Sequence, residues 1–89
     1  VKRPKIKKAE ALRRLDKVLA DVRAEVERAI NMHGGLASAH EGHSVIREEL
    51  EELWDEVKAD RGYQQSAMTE ALQTAAMGVK YIIYLDSRR

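Results

Sequence analysis

An all-α fold is predicted by three features of the sequence: apolar residues recurring at three- and four-residue spacing, glycine and proline confined to a few positions, and no strand-like alternation. The reading is a helical bundle of three main helices per chain, completed by dimerisation. Residues 1–8 form a basic leader, and residues 9–89 form a single helical domain.

The first helix is expected from about Lys7 to Met32. There Leu12, Leu15, Val18, Leu19, Val22, Val26 and Ile30 fall within a third of the circumference at about 100° per residue. His33-Gly34-Gly35 ends it, because glycine accepts the positive-φ conformations that close helix C-termini. Ser38 followed by Glu41 matches a capping box, so a second helix should begin there and run to about Ala59. After the connection DRGYQQ, Ser66 is the expected N-cap of a third helix reaching about Leu85. Ala71, Leu72, Ala75, Ala76, Val79, Ile82 and Ile83 cover one side of that helix, while Met77, Tyr81 and Tyr84 occupy another. A helix apolar on two sides is normally buried on both, which predicts a central position within an oligomer.

Eighty-nine residues lie near the lower limit for one self-sufficient core, and with no cysteine neither disulfides nor a thiolate zinc site can add stability. Oligomerisation is the remaining remedy. No apolar run approaches the roughly 20 residues that span a bilayer, and no secretory signal is recognisable. A soluble, cytoplasmic protein with no membrane partner is expected. The formal net charge of +1 conceals a segregation: the leader VKRPKIKK is basic, whereas residues 41–56 carry seven carboxylates against one arginine.

Within REELEELWDEV, residues 47–57, the carboxylates divide by position. Ile46, Leu50, Leu53, Val57 and the adjoining Trp54 form an apolar stripe, expected to be core, and Glu48, Glu51 and Asp55 lie opposite it. Glu49, Glu52 and Glu56 instead flank the stripe one turn apart, where they repel one another by a few tenths of a kcal/mol per exposed pair, and by more when desolvated. A divalent cation reverses that sign. Carboxylates at i and i+3 can aim oxygens at one point, and Mg²⁺ takes a few carboxylates together with water and phosphate oxygens. On the third helix Glu70 lies on the side shared by Gln73, Met77 and Tyr81, and supplies the complementary acid.

The pattern EExxE at Glu48, Glu49 and Glu52, seventeen intervening residues, then ExxQ at Glu70 and Gln73 resembles the MazG-like all-α nucleoside triphosphate pyrophosphohydrolases. The resemblance covers about residues 38–85. It implies a homodimer or homotetramer, Mg²⁺, and hydrolysis of a nucleoside triphosphate to a monophosphate and pyrophosphate. By position, Glu49, Glu52, Glu70 and Gln73 are the implied metal ligands, Glu48 and Glu56 supporting carboxylates, and Glu49 or Glu52 the catalytic base. Gln73 stands where the family has aspartate. A glutamine ligates through its carbonyl oxygen but brings no charge, so weaker metal binding is expected.

Trp54, Lys80 and Tyr81 are the candidates for contact with substrate, although aromatics at helical spacing more often serve the core. Tyr63 and Tyr84 stand in the same balance. His40 and His43 share a helical face without a third ligand at suitable spacing, and His33 stands apart. The leader has charge suited to nucleic acid but no interleaved aromatics, which argues against such a partner. The rival to an enzyme is a catalytically degenerate module that dimerises or binds nucleotide.

Overall fold

The computed structural model describes residues 5–59 and 65–87. Residues 1–4 of the leader, together with Gly62 and Tyr63 in the second connection, lie outside the described residues. Three helices make up the fold: α1 (Lys8–His33), α2 (Ala39–Ala59) and α3 (Gln65–Asp86), with no strand among the described residues. No helix is long and apolar enough to cross a membrane.

Local chemistry sets the boundaries close to the expected positions. α1 carries its own charge ladder, with Glu10 bound to Arg13 and Arg14, Lys17 to Asp21 at 2.6 Å, and Glu25 to Arg28. Such i,i+3 and i,i+4 pairs each add a few tenths of a kcal/mol to an exposed helix. At its end the Gly34 N–H donates to the Ile30 carbonyl at 2.9 Å. Gly34 then takes φ 68° with ψ −146°, an extended positive-φ conformation open essentially to glycine alone, rather than the left-handed helical one.

α2 begins as the capping pattern predicts, with one variation. The Glu41 N–H donates to Ser38 Oγ at 3.0 Å, but the Glu41 carboxylate reaches one residue further back than a capping box requires and accepts from the Ala37 N–H at 3.1 Å. α3 starts at Gln65, so Ser66 lies within its first turn instead of capping it.

α3 is the central element. α1 and α2 each pack against it, and their backbones do not pack against each other. Close approach to α2 depends on Gly42, which is buried; a Cβ there would overlap the Tyr81 ring. Gly35 admits Tyr84 in the same way, with the nearest ring carbon 2.7 Å from where its Cβ would stand. Both tyrosines are thereby used in packing.

The core of the single chain is thin. Among the described residues the buried apolar ones are Val26, Ala29, Ala67 and Ala76, and no large side chain is fully enclosed. Leu50, Trp54 and Val57, expected to be core, are 53%, 57% and 45% exposed. The reason is a rotation of α2: the residues it turns inward are Gly42, Val45, Ile46, Glu49, Leu53 and Glu56, a stripe centred on the acidic flank. α1 leaves Leu12, Leu15, Val18 and Leu19 outside, and α3 leaves Ile82 and Ile83.

Gly42→Ala should lower stability by about 1–3 kcal/mol, the usual cost of overpacking, although alanine is the better helix former by about 1 kcal/mol. In a Tyr81→Ala background, where the clash is gone, the same substitution should become stabilising. Thermal denaturation of the two pairs measures the reversal.

Candidate metal centre

The rotation that exposes Leu50 and Trp54 is what builds the site. Glu49 and Glu52, one turn apart on α2, are carried to the α3 interface, and Glu70 meets them from the second turn of α3. One oxygen from each of Glu49, Glu52 and Glu70 lies within 4.8 Å of the others. Glu49 and Glu70 are half-buried and Glu52 is exposed, so the cluster has a sheltered side and an open one.

Crowding marks these groups electrostatically. Burial pushes the Glu49 carboxyl above the ordinary carboxylate range, and the charges of Glu52, Glu70, Glu48 and Glu25 add to the shift. Glu70 is raised first by desolvation, then by a hydrogen bond shared with Glu52 and by the charges of Glu52 and Glu56. The donor set suits a hard cation. Around octahedral Mg²⁺, with bonds of 2.0–2.1 Å, opposite oxygens stand about 4.2 Å apart and neighbouring ones about 3 Å, so oxygens as far as 4.8 Å from one another would have to draw together by up to about 2 Å around an ion.

Gln73 belongs to this group in a different capacity from the one expected. In the amide orientation that satisfies both ends, its nitrogen donates to Glu70 Oε2 at 3.1 Å and to Glu49 Oε2 at 3.3 Å. It therefore bridges two carboxylates as a donor, whereas the sequence suggested an oxygen ligand. An N–H group between crowded acids offsets part of their repulsion. Coordination through its oxygen would require the amide to turn over.

A cavity of about 340 Å³ adjoins the cluster and shares Glu49 and Gln73 with it. Its walls come from all three helices and from the turn after α1, including Glu25, Arg28, His33 and Lys80. Lys80 is 3% exposed. The helical register explains its place: Glu70, Gln73, Met77 and Lys80 follow one another up a single side of α3.

Most of the candidate ligands come together, and the substrate-contact candidates divide. Glu48 is exposed beside the cluster, and Glu56 is half-buried near Glu70. Of Trp54, Lys80 and Tyr81, only Lys80 lines the cavity. Trp54 faces outward with the Lys58 ammonium 5.7 Å from its ring centre. Tyr81 packs on Gly42 and lines a separate shallow depression with His40, His43 and Ser44. No third ligand joins those two histidines among the described residues. Glu51 and Asp55 pair with Arg47 and Lys58 on the outer face, at 3.2 Å and 3.4 Å.

Sequence reading missed the contribution of α1. Glu25, Arg28 and His33 reach the cavity from the flank of its apolar stripe, next to the buried Ala29. The available signal was a carboxylate and a small residue beside that stripe, the same kind of position that singled out Glu49 on α2.

No protein-family model, curated protein or solved structure matches the chain.

The shifts fix the sign of a pH dependence. Glu49 and Glu70 bind protons more tightly when folded, so their ionisation should lower the stability of metal-free protein as pH rises from the ordinary carboxylate range through their raised values. Glu25, held below that range by the Arg28 guanidinium, stabilises above it and loses that contribution as pH falls. Urea denaturation in chelator should therefore show maximal stability near the ordinary carboxylate range. Glu52→Gln should flatten the decline on the alkaline side.

Proposed function

We propose that this protein is a Mg²⁺-dependent nucleoside triphosphate pyrophosphohydrolase of the MazG-like kind, working as a homodimer or homotetramer in the cytoplasm. The observation that carries the reading is the convergence of Glu49, Glu52 and Glu70 from two helices on one point. The EExxE and ExxQ patterns that name these residues supply the family resemblance.

Glu49, Glu52 and Glu70 would hold the Mg²⁺, which would supply neutralisation of phosphate charge and polarisation at the reacting phosphorus. The chain's own groups supply position and proton transfer. Glu52, on the open side, is placed to accept a proton from a water that attacks the α-phosphorus. The new O–P bond forms as the bond to the bridging oxygen breaks in line, and pyrophosphate leaves. Glu49 and Glu70, sheltered and crowded, act as ligands, while Gln73 orients both.

Assembly follows from the thin core. The chain exposes 7085 Å², against about 5,300 Å² for a compact monomer of 10.1 kDa. Exposed large apolar residues of α1 and α3 include Leu12, Leu15, Val18, Leu19, Ile82 and Ile83. Light scattering should give twice or four times the chain mass, and Ile82→Lys should shift it toward monomer.

The second reading is a nucleotide-binding or dimerisation module without catalysis. The donor role of Gln73 favours it, because an amide nitrogen occupies space that a carboxylate ligand would use.

Incubation with a panel of nucleoside triphosphates and Mg²⁺ should yield monophosphate and pyrophosphate in equal amounts. Glu52→Gln should lower kcat by about 10²–10⁴-fold, and Glu51→Gln, on the outer face, should leave it unchanged. Gln73→Asp should tighten Mg²⁺ binding. Absence of both products across the panel would leave the non-catalytic reading standing.

A further inference from the structure

The first half of α1 stands clear of the other helices. α1 and α3 run in the same direction: grooves between them set Val18, Asp21 and Val22 beside Gln65, Met68 and Leu72, and further along Val26 and Ile30 beside Val79 and Ile83. α3 thus begins level with about Val18, and residues 8–17 of α1, about 15 Å of helix at 1.5 Å per residue, extend past its end. Every residue from Ala11 to Ala20 is exposed. The apolar pattern nevertheless runs through both halves. Leu12, Leu15, Leu19, Val22, Val26 and Ala29 alternate steps of three and four, the a and d positions of successive heptads. In the stretch that α3 covers, Val22 is half-buried and Val26 and Ala29 are buried, whereas Leu12, Leu15 and Leu19 on the same seam are 68%, 46% and 53% exposed. Charges in the extending segment are met along its own outer side, Glu10 by Arg13 and Arg14 and Lys17 by Asp21, which leaves the leucines as its uncovered face.

We infer that the exposed half of this seam pairs with the same half of a second copy of the chain, as a short antiparallel coiled coil. This deepens the proposed reading by naming a surface for its assembly, and rests on that reading only in the chain being an oligomer. A parallel partner is excluded by collision, because its α1 would continue along the seam into the place that α3 holds from about Val22 onward. An antiparallel partner leads away past the N-terminus of α1 and lies in line with α3. The end of α3 also fixes the register. Reversal of one helix sets a positions against d positions, so Leu12 meets Leu15 of the partner subunit, and Lys8 of the partner subunit lays its aliphatic stem over Leu19 just short of Val22. Sliding inward by one heptad would drive the second helix into α3, and sliding outward by one would leave no leucine against a leucine. Flanking positions then set Ala11 against Val18 and Asp16 against Ala9 across the pair, so no like charges face one another. The surplus of about 1,800 Å² over a compact monomer exceeds the roughly 800 Å² per partner that a standard interface buries. A lipid surface is the poorer occupant, since the segment carries Glu10, Asp16 and Asp21 among its cations and no aromatic residue.

Light scattering of the full chain carrying Leu12→Asp and Leu15→Asp together tests the surface. Both positions are exposed, so the variant should keep its helicity by circular dichroism while its mass falls to about half that of wild type. Unchanged mass in a folded variant overturns the assignment, and leaves assembly to another face. The chain has no cysteine, so direction can be read from single thiols. When Leu12→Cys and Leu15→Cys chains, one of them isotopically labelled, are mixed and oxidised, disulfides between unlike chains should predominate. Disulfides chiefly between like chains, or none in an intact oligomer, would overturn the antiparallel pairing. A monomeric wild type overturns the proposal as a whole: binding to vesicles of anionic phospholipid would then assign the leucines to a lipid surface, and its failure would assign them to a helix of another protein. Release of pyrophosphate by such a monomer would keep the enzymatic reading and sink this one. Loss of assembly in the variant, with no turnover by wild type, would do the reverse.

Discussion

The constraint on which the rest of the structure depends is the way α2 lies on α3. Gly42 lets the Tyr81 ring approach the α2 backbone, and that contact helps fix the rotation of α2 about its own axis. With that rotation set, the inward positions three and four residues apart include Glu49 and Glu56. The outward ones include Leu50, Trp54 and Val57, large apolar groups that would otherwise have formed the core. The chain thus places carboxylates at a helix interface and leaves hydrocarbon in water. Each half of that arrangement is unfavourable in an isolated chain, by repulsion and desolvation on one side and by exposed apolar area on the other.

Two kinds of partner relieve the two costs. A cation between Glu49, Glu52 and Glu70 would convert repulsion into coordination, and a second chain over the apolar faces would remove them from water. The two reliefs are physically linked through α2, because anything that turned this helix to bury Leu50 and Trp54 within one chain would also withdraw Glu49 from Glu70. An oligomer removes the need to choose. It can cover the apolar side of α2 or α3 while the acidic flank stays where Glu70 meets it. For a small chain with acids at a helix interface, this would be a reason to assemble that goes beyond the shortage of core in 89 residues.

The helices were legible in sequence because they are written in local chemistry: periodicity, the glycines after α1, and the Ser38–Glu41 cap all act within a few residues. The acidic triad was legible for a related reason, since spacing along one helix fixes which acids share a flank. The rotation of α2 was not. A helical wheel ranks faces by hydrophobicity and takes the most apolar as inward, whereas the inward face here is chosen by the fit of Gly42 to Tyr81 across two helices. The same limit hid Glu25, Arg28 and His33, whose relation to Glu49 exists only once α1 and α2 both lie on α3. The tyrosines were legible only as a balance that leaned toward the core. Their spacing left open a role in stacking on a base, and the glycines that receive them show packing.

Gln73 is the residue at which the electrostatic argument turns. A fourth carboxylate at this position would deepen a cluster in which Glu49 and Glu70 already hold their protons more tightly than usual. In the orientation that lets it donate, the amide does the opposite, reaching one oxygen of Glu70 on its own helix and one of Glu49 on α2. Its cost appears when a cation arrives, because the N–H groups that soothed the acids then compete with the metal for their lone pairs. An amide at this position exchanges ligand charge for order among the acids, and a cation seated there would be drawn less strongly than by a fourth carboxylate.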